Sequence, residues 1–117
     1  MIEKTVVVDR ETAEKLLPES AVNGADYNGI CVVEVGRQKA AVVKQEDEKY
    51  AVIPFSQDSL IPFQKALSRA PYSALVSDEG ISFHRELFKA VENSVGIDEE
   101  ARKFFNFHVL VHGYQKH

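Results

Sequence analysis

Three runs rich in β-branched residues, Ile30 to Val35, Lys39 to Lys44 and Lys49 to Phe55, follow one another with only Gly36-Arg37-Gln38 and Gln45-Glu46-Asp47-Glu48 between them. Connections this short join antiparallel neighbours, because a parallel pair needs a crossover of roughly a dozen residues or more. Residues 29–55 are therefore expected to form a three-stranded meander. In the first run Cys31, Val33 and Val35 alternate with Ile30, Val32 and Glu34, so both faces of the strand are largely apolar. One face is expected to meet helices. The other needs a cover of its own: the C-terminal segments, neighbours of the first strand, or an identical subunit in an isologous dimer.

The flanking segments supply one more strand at the start and helices after the meander. Glu3 to Val8 reads as a strand, followed by a short helix that Asp9 caps, with Ala13, Leu16 and Leu17 on its buried face and Pro18 as its stop. Glu19 to Asn28 carries Asn23-Gly24, Asp26 and Asn28-Gly29, a density of turn formers that predicts a loop. A second helix is expected after a cap at Asp58 or Ser59, with Leu60, Phe63, Ala66, Leu67 and Ala70 on one stripe and Pro71 as its end. Tyr72 to Val76 reads as a short strand and Ser77-Asp78-Glu79-Gly80 as a turn. Phe83, Leu87, Phe88 and Val91 make a further helical stripe closing at Gly96, and Asp98 caps another helix. Phe105, Phe107, Val109 and Val111 alternate with Asn106, His108, Leu110 and His112, which favours a final strand, with a continued helix as the alternative. The fold class expected is α+β: a single domain over residues 1–117, a mainly antiparallel sheet of four to six strands by this reading, and three to four helices mostly in the second half.

Composition bounds the function classes. The chain has 117 residues, enough to bury a core without disulfide or metal staples. Its 14 Lys and Arg against 18 Asp and Glu give a net charge of −4, which argues against a protein that coats nucleic acid or anionic lipid. Cys31 is the only cysteine, which excludes an intrachain disulfide and makes a reducing cytoplasm the expected location. The Met1-Ile2-Glu3-Lys4 start lacks a basic region followed by an apolar run, and no apolar run reaches the ~20 residues of a membrane helix. Residues 1–58 hold 7 of the basic and 11 of the acidic side chains, which leaves the second half balanced and in possession of all four histidines. An anionic ligand would prefer that half.

No motif names a reaction. His108 and His112 have the i, i+4 spacing of a helical metal pair, but on a strand their Cα atoms would stand about 13 Å apart, so no metal is expected. His84-Arg85-Glu86 offers a base, a cation and an acid at a helix start, yet successive helical residues point about 100° apart and cannot all line one pocket. Cys31 lies within an apolar strand, where cysteine acts as a small hydrophobe, and Ser56 to Ser59 lacks the glycines of a nucleophile elbow. Glycines stand singly, so no phosphate loop is present and no cofactor is expected. Glu46-Asp47-Glu48 reads as a solvated hairpin loop whose charges keep strand edges apart. Arg69, Tyr72, Phe83, His84, Arg85 and Arg102 supply the guanidinium forks and aromatic faces that hold phosphates and stack on bases.

The function expected is therefore a non-catalytic binding module: a small cytoplasmic regulator or inhibitor, of the kind a phage or mobile element carries. It would act through a small anionic, nucleotide-like ligand or a protein partner, and as a homo-oligomer. The alternative is a small enzyme that uses His84, His108 or His112 in acid-base or metal-assisted hydrolysis.

Overall fold

The computed structural model describes residues 4–70 and 77–95. Strand β1 (Val6–Asp9) leads directly into helix α1 (Arg10–Leu16), followed by α2 (Glu19–Asn28), β2 (Ile30–Val35), β3 (Gln38–Lys44), β4 (Lys49–Pro54), a 3-10 turn (Gln57–Ser59), α3 (Leu60–Ser68) and α4 (Asp78–Val95). The four strands form one antiparallel sheet in the order β1-β4-β3-β2. The expected meander is β2-β3-β4, and β1 returns to pair with β4 at the sheet's edge. The α+β class is as the short strand connections and apolar helical stripes predict. The expected strand at Tyr72 to Val76, the helix from Asp98 and the segment 105–114 with His108 and His112 lie outside the described residues.

Both faces of the sheet are covered by helices of the same chain. On one side Ala13, Leu17, Ala21, Val22 and Ala25 of α1 and α2 meet Ala40, Val42, Tyr50 and Val52. On the other, Phe63, Ala66 and Leu67 of α3 and Phe83 and Leu87 of α4 meet Ile30, Ala41, Val43, Ala51 and Ile53. The alternation along β2 to β4 thus serves two cores, successive buried residues pointing to one and then the other. The doubly apolar strands, read in the sequence as a reason for self-association, are accounted for within one chain: the second cover consists of α3 and α4.

Three local readings are corrected. Glu19 to Asn28 is a helix, not a loop: Pro18 stands at its N-cap, Ala21, Val22 and Ala25 make its buried stripe, and Gly29 closes it at φ 85°, a left-handed position that glycine adopts without steric cost. Burial of that stripe outweighs the turn preference of Asn23-Gly24 and Asp26. In α1, Asp9 caps as expected, accepting from the Thr12 amide at 2.8 Å, but Leu16 is 56% exposed and only Ala13 and Leu17 are buried. Finally, Asp78 to Gly80 is the first turn of α4 and not a separate turn. Ser77 Oγ accepts from the Gly80 amide at 3.0 Å, which satisfies one of the unpaired donors of a helix start. At α3 the Ser59 hydroxyl makes no cap bond and donates back to the Pro54 carbonyl, fastening the strand end to the helix start.

The ladder also fixes which way the edge strand faces. Phe55 N donates to Lys39 O at 3.0 Å and Gln45 N to Lys49 O at 2.7 Å, which makes Ala40↔Pro54 and Lys44↔Tyr50 the non-hydrogen-bonded pairs of β3 and β4. Tyr50 and Val52 therefore direct their peptide groups towards β1, where they bond Val8 and Val6. Val7 is left with its N–H and C=O directed outward from the sheet. Pro54 stands beyond the end of β1, so its missing N–H costs the ladder no bond.

Candidate functional site

Two places concentrate polar or exposed groups. The first is a cluster around Asp26, which α2 holds over the α1-side face of the sheet. Its Oδ2 is 2.8 Å from Arg10 Nη1, and its Oδ1 is 2.8 Å from Lys44 Nζ and 2.5 Å from the Tyr50 hydroxyl. Arg10 also donates to the Tyr50 oxygen at 2.7 Å, and Lys44 Nζ lies 5.6 Å from the centre of the Tyr50 ring. Partial burial pushes the Asp26 carboxyl up, but hydrogen bonds from Lys44, Tyr50 and Arg10 outweigh it and hold the group at about 2. Burial and the neighbouring carboxylate push Tyr50 up to about 12. At neutral pH the acid is ionised, the phenol is protonated, and both Asp26 oxygens are engaged. The cluster binds α1, α2, β3 and β4 together, and neither member titrates where a general acid or base must.

The second place is an open cavity of about 270 Å³ between the edge strand and α3. One wall is Thr5 and Val7; the other is α3, through Ile61, Pro62, Lys65, Ala66 and Arg69. Ala51 and the amide of Gln45 form the floor. Gln45 is buried and fixed: its Nε2 donates to the carbonyls of Val43, Lys44 and Ala66, which anchors the end of α3 to β3. Ile61, Lys65 and Arg69 follow one another at i, i+4 intervals, so they form one ridge along the cavity. Val7 and Ile61 are 56% and 61% exposed, an apolar pair that the fold leaves in water. Lys65 and Arg69 stand exposed above them, and no acidic residue lines the cavity among the described residues. The Thr5 hydroxyl is buried and unpartnered among the described residues.

Of the six residues singled out in the sequence, the side chains of three are described, and they stand in different places. Arg69 lines the cavity. Phe83 is wholly buried, its ring set edge-to-face against Phe55 and Phe63 with centroids 4.3 and 4.4 Å away, so it belongs to the core and offers no face to a ligand. Arg85 is exposed on α4, away from the cavity lining. The His84 side chain, Tyr72 and Arg102 lie outside the described residues. Sequence reasoning did not reach Thr5, Val7, Ile61 and Lys65; only the i, i+4 spacing of Ile61, Lys65 and Arg69 on one helix was available to point there.

Cys31 packs against the α2-side core, half-buried, and burial pushes its thiol up, which keeps it protonated at neutral pH. Among the described residues no group of three or more His, Cys, Asp or Glu side chains is placed to hold a metal ion. Likewise no helix among them is long and apolar enough to cross a membrane. No family model, curated protein or solved structure gives a match to the chain.

Proposed function

We propose that this protein is a non-catalytic binding module, a small regulator or inhibitor, and that the cavity between β1 and α3 holds its ligand. The occupant is anionic with an apolar part: a nucleotide-like small molecule or the acidic segment of a protein partner. The observation that carries this reading is the pairing of exposed apolar walls, Val7 and Ile61, with two cations one helical turn apart, Lys65 and Arg69, and no acid in the lining. Such a surface gains from burying apolar area and from charge complementarity at once, in a chain whose net charge is −4. The polar cluster at Asp26 is the competing location, and its engaged oxygens and shifted titrations fit a structural role better.

The test is a titration of the protein with ADP and with an acidic peptide, followed by amide chemical shifts. For at least one of the two, shifts concentrated at Val7, Ile61, Lys65 and Arg69 are expected, with about tenfold or greater weakening in the Lys65→Glu, Arg69→Glu double variant. Binding that maps elsewhere, or that the double variant leaves unchanged, overturns the reading.

A further inference from the structure

The cavity does not stand alone: it opens beside the β1 edge of the sheet, where Val7 directs its backbone groups outward and its exposed apolar side chain into the cavity lining. We propose that the occupant is an extended acidic segment of a protein partner, which adds to the sheet as a strand alongside β1 and lays its acidic side chains against Lys65 and Arg69. This inference rests on the reading of the cavity as the binding surface and narrows it to one class of ligand.

Three observations converge. First, β1 is terminal in the sheet, and the ladder register leaves the N–H and C=O of Val7 directed outward, with no further strand among the described residues. An open edge with exposed peptide groups is a template for a further strand. Second, the Val7 side chain lines the cavity. A residue paired directly with Val7 puts its own side chain on the same face, about 5 Å away, and its neighbours two positions along do likewise. Every second side chain of an added strand is therefore delivered towards α3. Third, α3 presents Lys65 and Arg69 there. The stretch from Ile61 to Arg69 rises about 12 Å, which matches about four residues of extended chain. A strand with glutamates at alternate positions satisfies the backbone edge and the cations together, and lays the aliphatic stems of those glutamates against Val7 and Ile61.

A second copy of this chain is a poorer occupant. Two-fold pairing of β1 with β1 would gather Lys65 and Arg69 of both copies around one seam, where like charges repel. A nucleotide could use the cations and the apolar walls but would leave the Val7 peptide groups unused.

The experiment uses the full chain and three probes: a capped ten-residue peptide alternating valine and glutamate, the same peptide with lysine for glutamate, and ADP. The glutamate peptide is expected to bind, to slow hydrogen exchange of the Val7 amide at least about tenfold, and to lose affinity about tenfold in the Lys65→Glu, Arg69→Glu variant. Val7→Pro removes the outward N–H while the β4 bonds, made by Val6 and Val8, remain. That variant should abolish peptide binding, with folding checked by circular dichroism. Unchanged exchange at Val7 on peptide binding, or equal affinity for the lysine peptide, overturns strand addition. Binding of ADP in the cavity without the peptide overturns it too but leaves the cavity reading intact. Failure of both probes removes both. A dimer in light scattering that Val7→Pro dissociates replaces the acidic partner with a second copy.

Discussion

The hydroxyl of Tyr50 donates to Asp26 Oδ1 at 2.5 Å, joining the first residues of β4 to the last turn of α2 in a bond that Lys44 and Arg10 complete from either side. The Asp26 carboxyl is held at about 2, below its ordinary 3.8. Its contribution to stability is therefore complete above pH 4 and is lost as the pH falls through about 2. The Asp26→Asn variant should be less stable at pH 7 by about 1 to 3 kcal/mol. It should also lose less further stability than the parent between pH 4 and pH 2, measured by urea denaturation. Parallel pH profiles for the two proteins would count against the cluster's role.

Tyr50 supplies an optical readout of the same cluster. Its phenol is pushed up to about 12 from 10, so the fold favours the neutral form. That contribution is present below pH 10 and disappears as the pH rises through about 12. In an ultraviolet titration one tyrosine should ionise late, and in Asp26→Asn it should ionise earlier, because the acceptor's charge is gone.

Gly24 faces Cys31 so closely that a Cβ added at Gly24 would lie 2.9 Å from the thiol sulfur and 3.2 Å from Cys31 Cβ. Alanine in a helix interior ordinarily gains about 1 kcal/mol over glycine. Here contact with β2 reverses the sign: Gly24→Ala should destabilise the protein. With Cys31→Ala in place the sulfur is removed, and the same change should cost less or become stabilising. A double-mutant cycle by chemical denaturation should give a coupling of about 1 kcal/mol; additivity of the two changes would refute the contact.

The hairpin between β3 and β4 carries Asp47 at φ 62° and Glu48 at φ 58°, left-handed conformations that cost non-glycine residues about 1 kcal/mol each. Glu48 makes only distant contacts with Arg10 at 3.9 Å and Lys44 at 3.8 Å and is 70% exposed, so those pairs add little. Glu48→Gly should therefore raise the thermal midpoint by a few degrees, read by differential scanning calorimetry.

Thr5 keeps a buried hydroxyl without a partner among the described residues, and a methyl group of the same shape has nothing to desolvate. Thr5→Val should stabilise the fold by about 1 kcal/mol. A loss of stability of that size would mean the hydroxyl is bonded in solution.

The antiparallel meander was legible because its evidence is local: three β-branched runs with connections too short for any other arrangement. The capping of α1 by Asp9 and the stripe Phe63, Ala66, Leu67 were legible for the same reason. Helix α2 was not, because Asn23-Gly24 and Asp26 speak for a turn within a few residues, whereas Ala21, Val22 and Ala25 gain only on meeting Ala40 and Val42 across the fold. The Ser77 cap was overlooked because Asp78-Glu79-Gly80 has the composition of a turn as well as of a helix start. Arg69 reached the candidate site from the sequence, but its neighbours there did not. Val7 and Lys65 line one cavity only because β1 pairs with β4, a contact between residues 40 to 46 positions apart, and no local pattern encodes that return.

From Ala40 to Val43 and from Tyr50 to Pro54 every side chain is buried, since helices close over both sides of the sheet. These strands consequently have no neutral side on which substitutions could accumulate: a charge introduced at any of these positions enters one core or the other. Among the described residues, room for variation is left to the exposed positions outside these strands: β1, the hairpin tips and the solvent side of each helix. A saturation scan should therefore divide the described residues sharply, with an intolerant centre and a permissive periphery on which substitutions leave the fold unchanged.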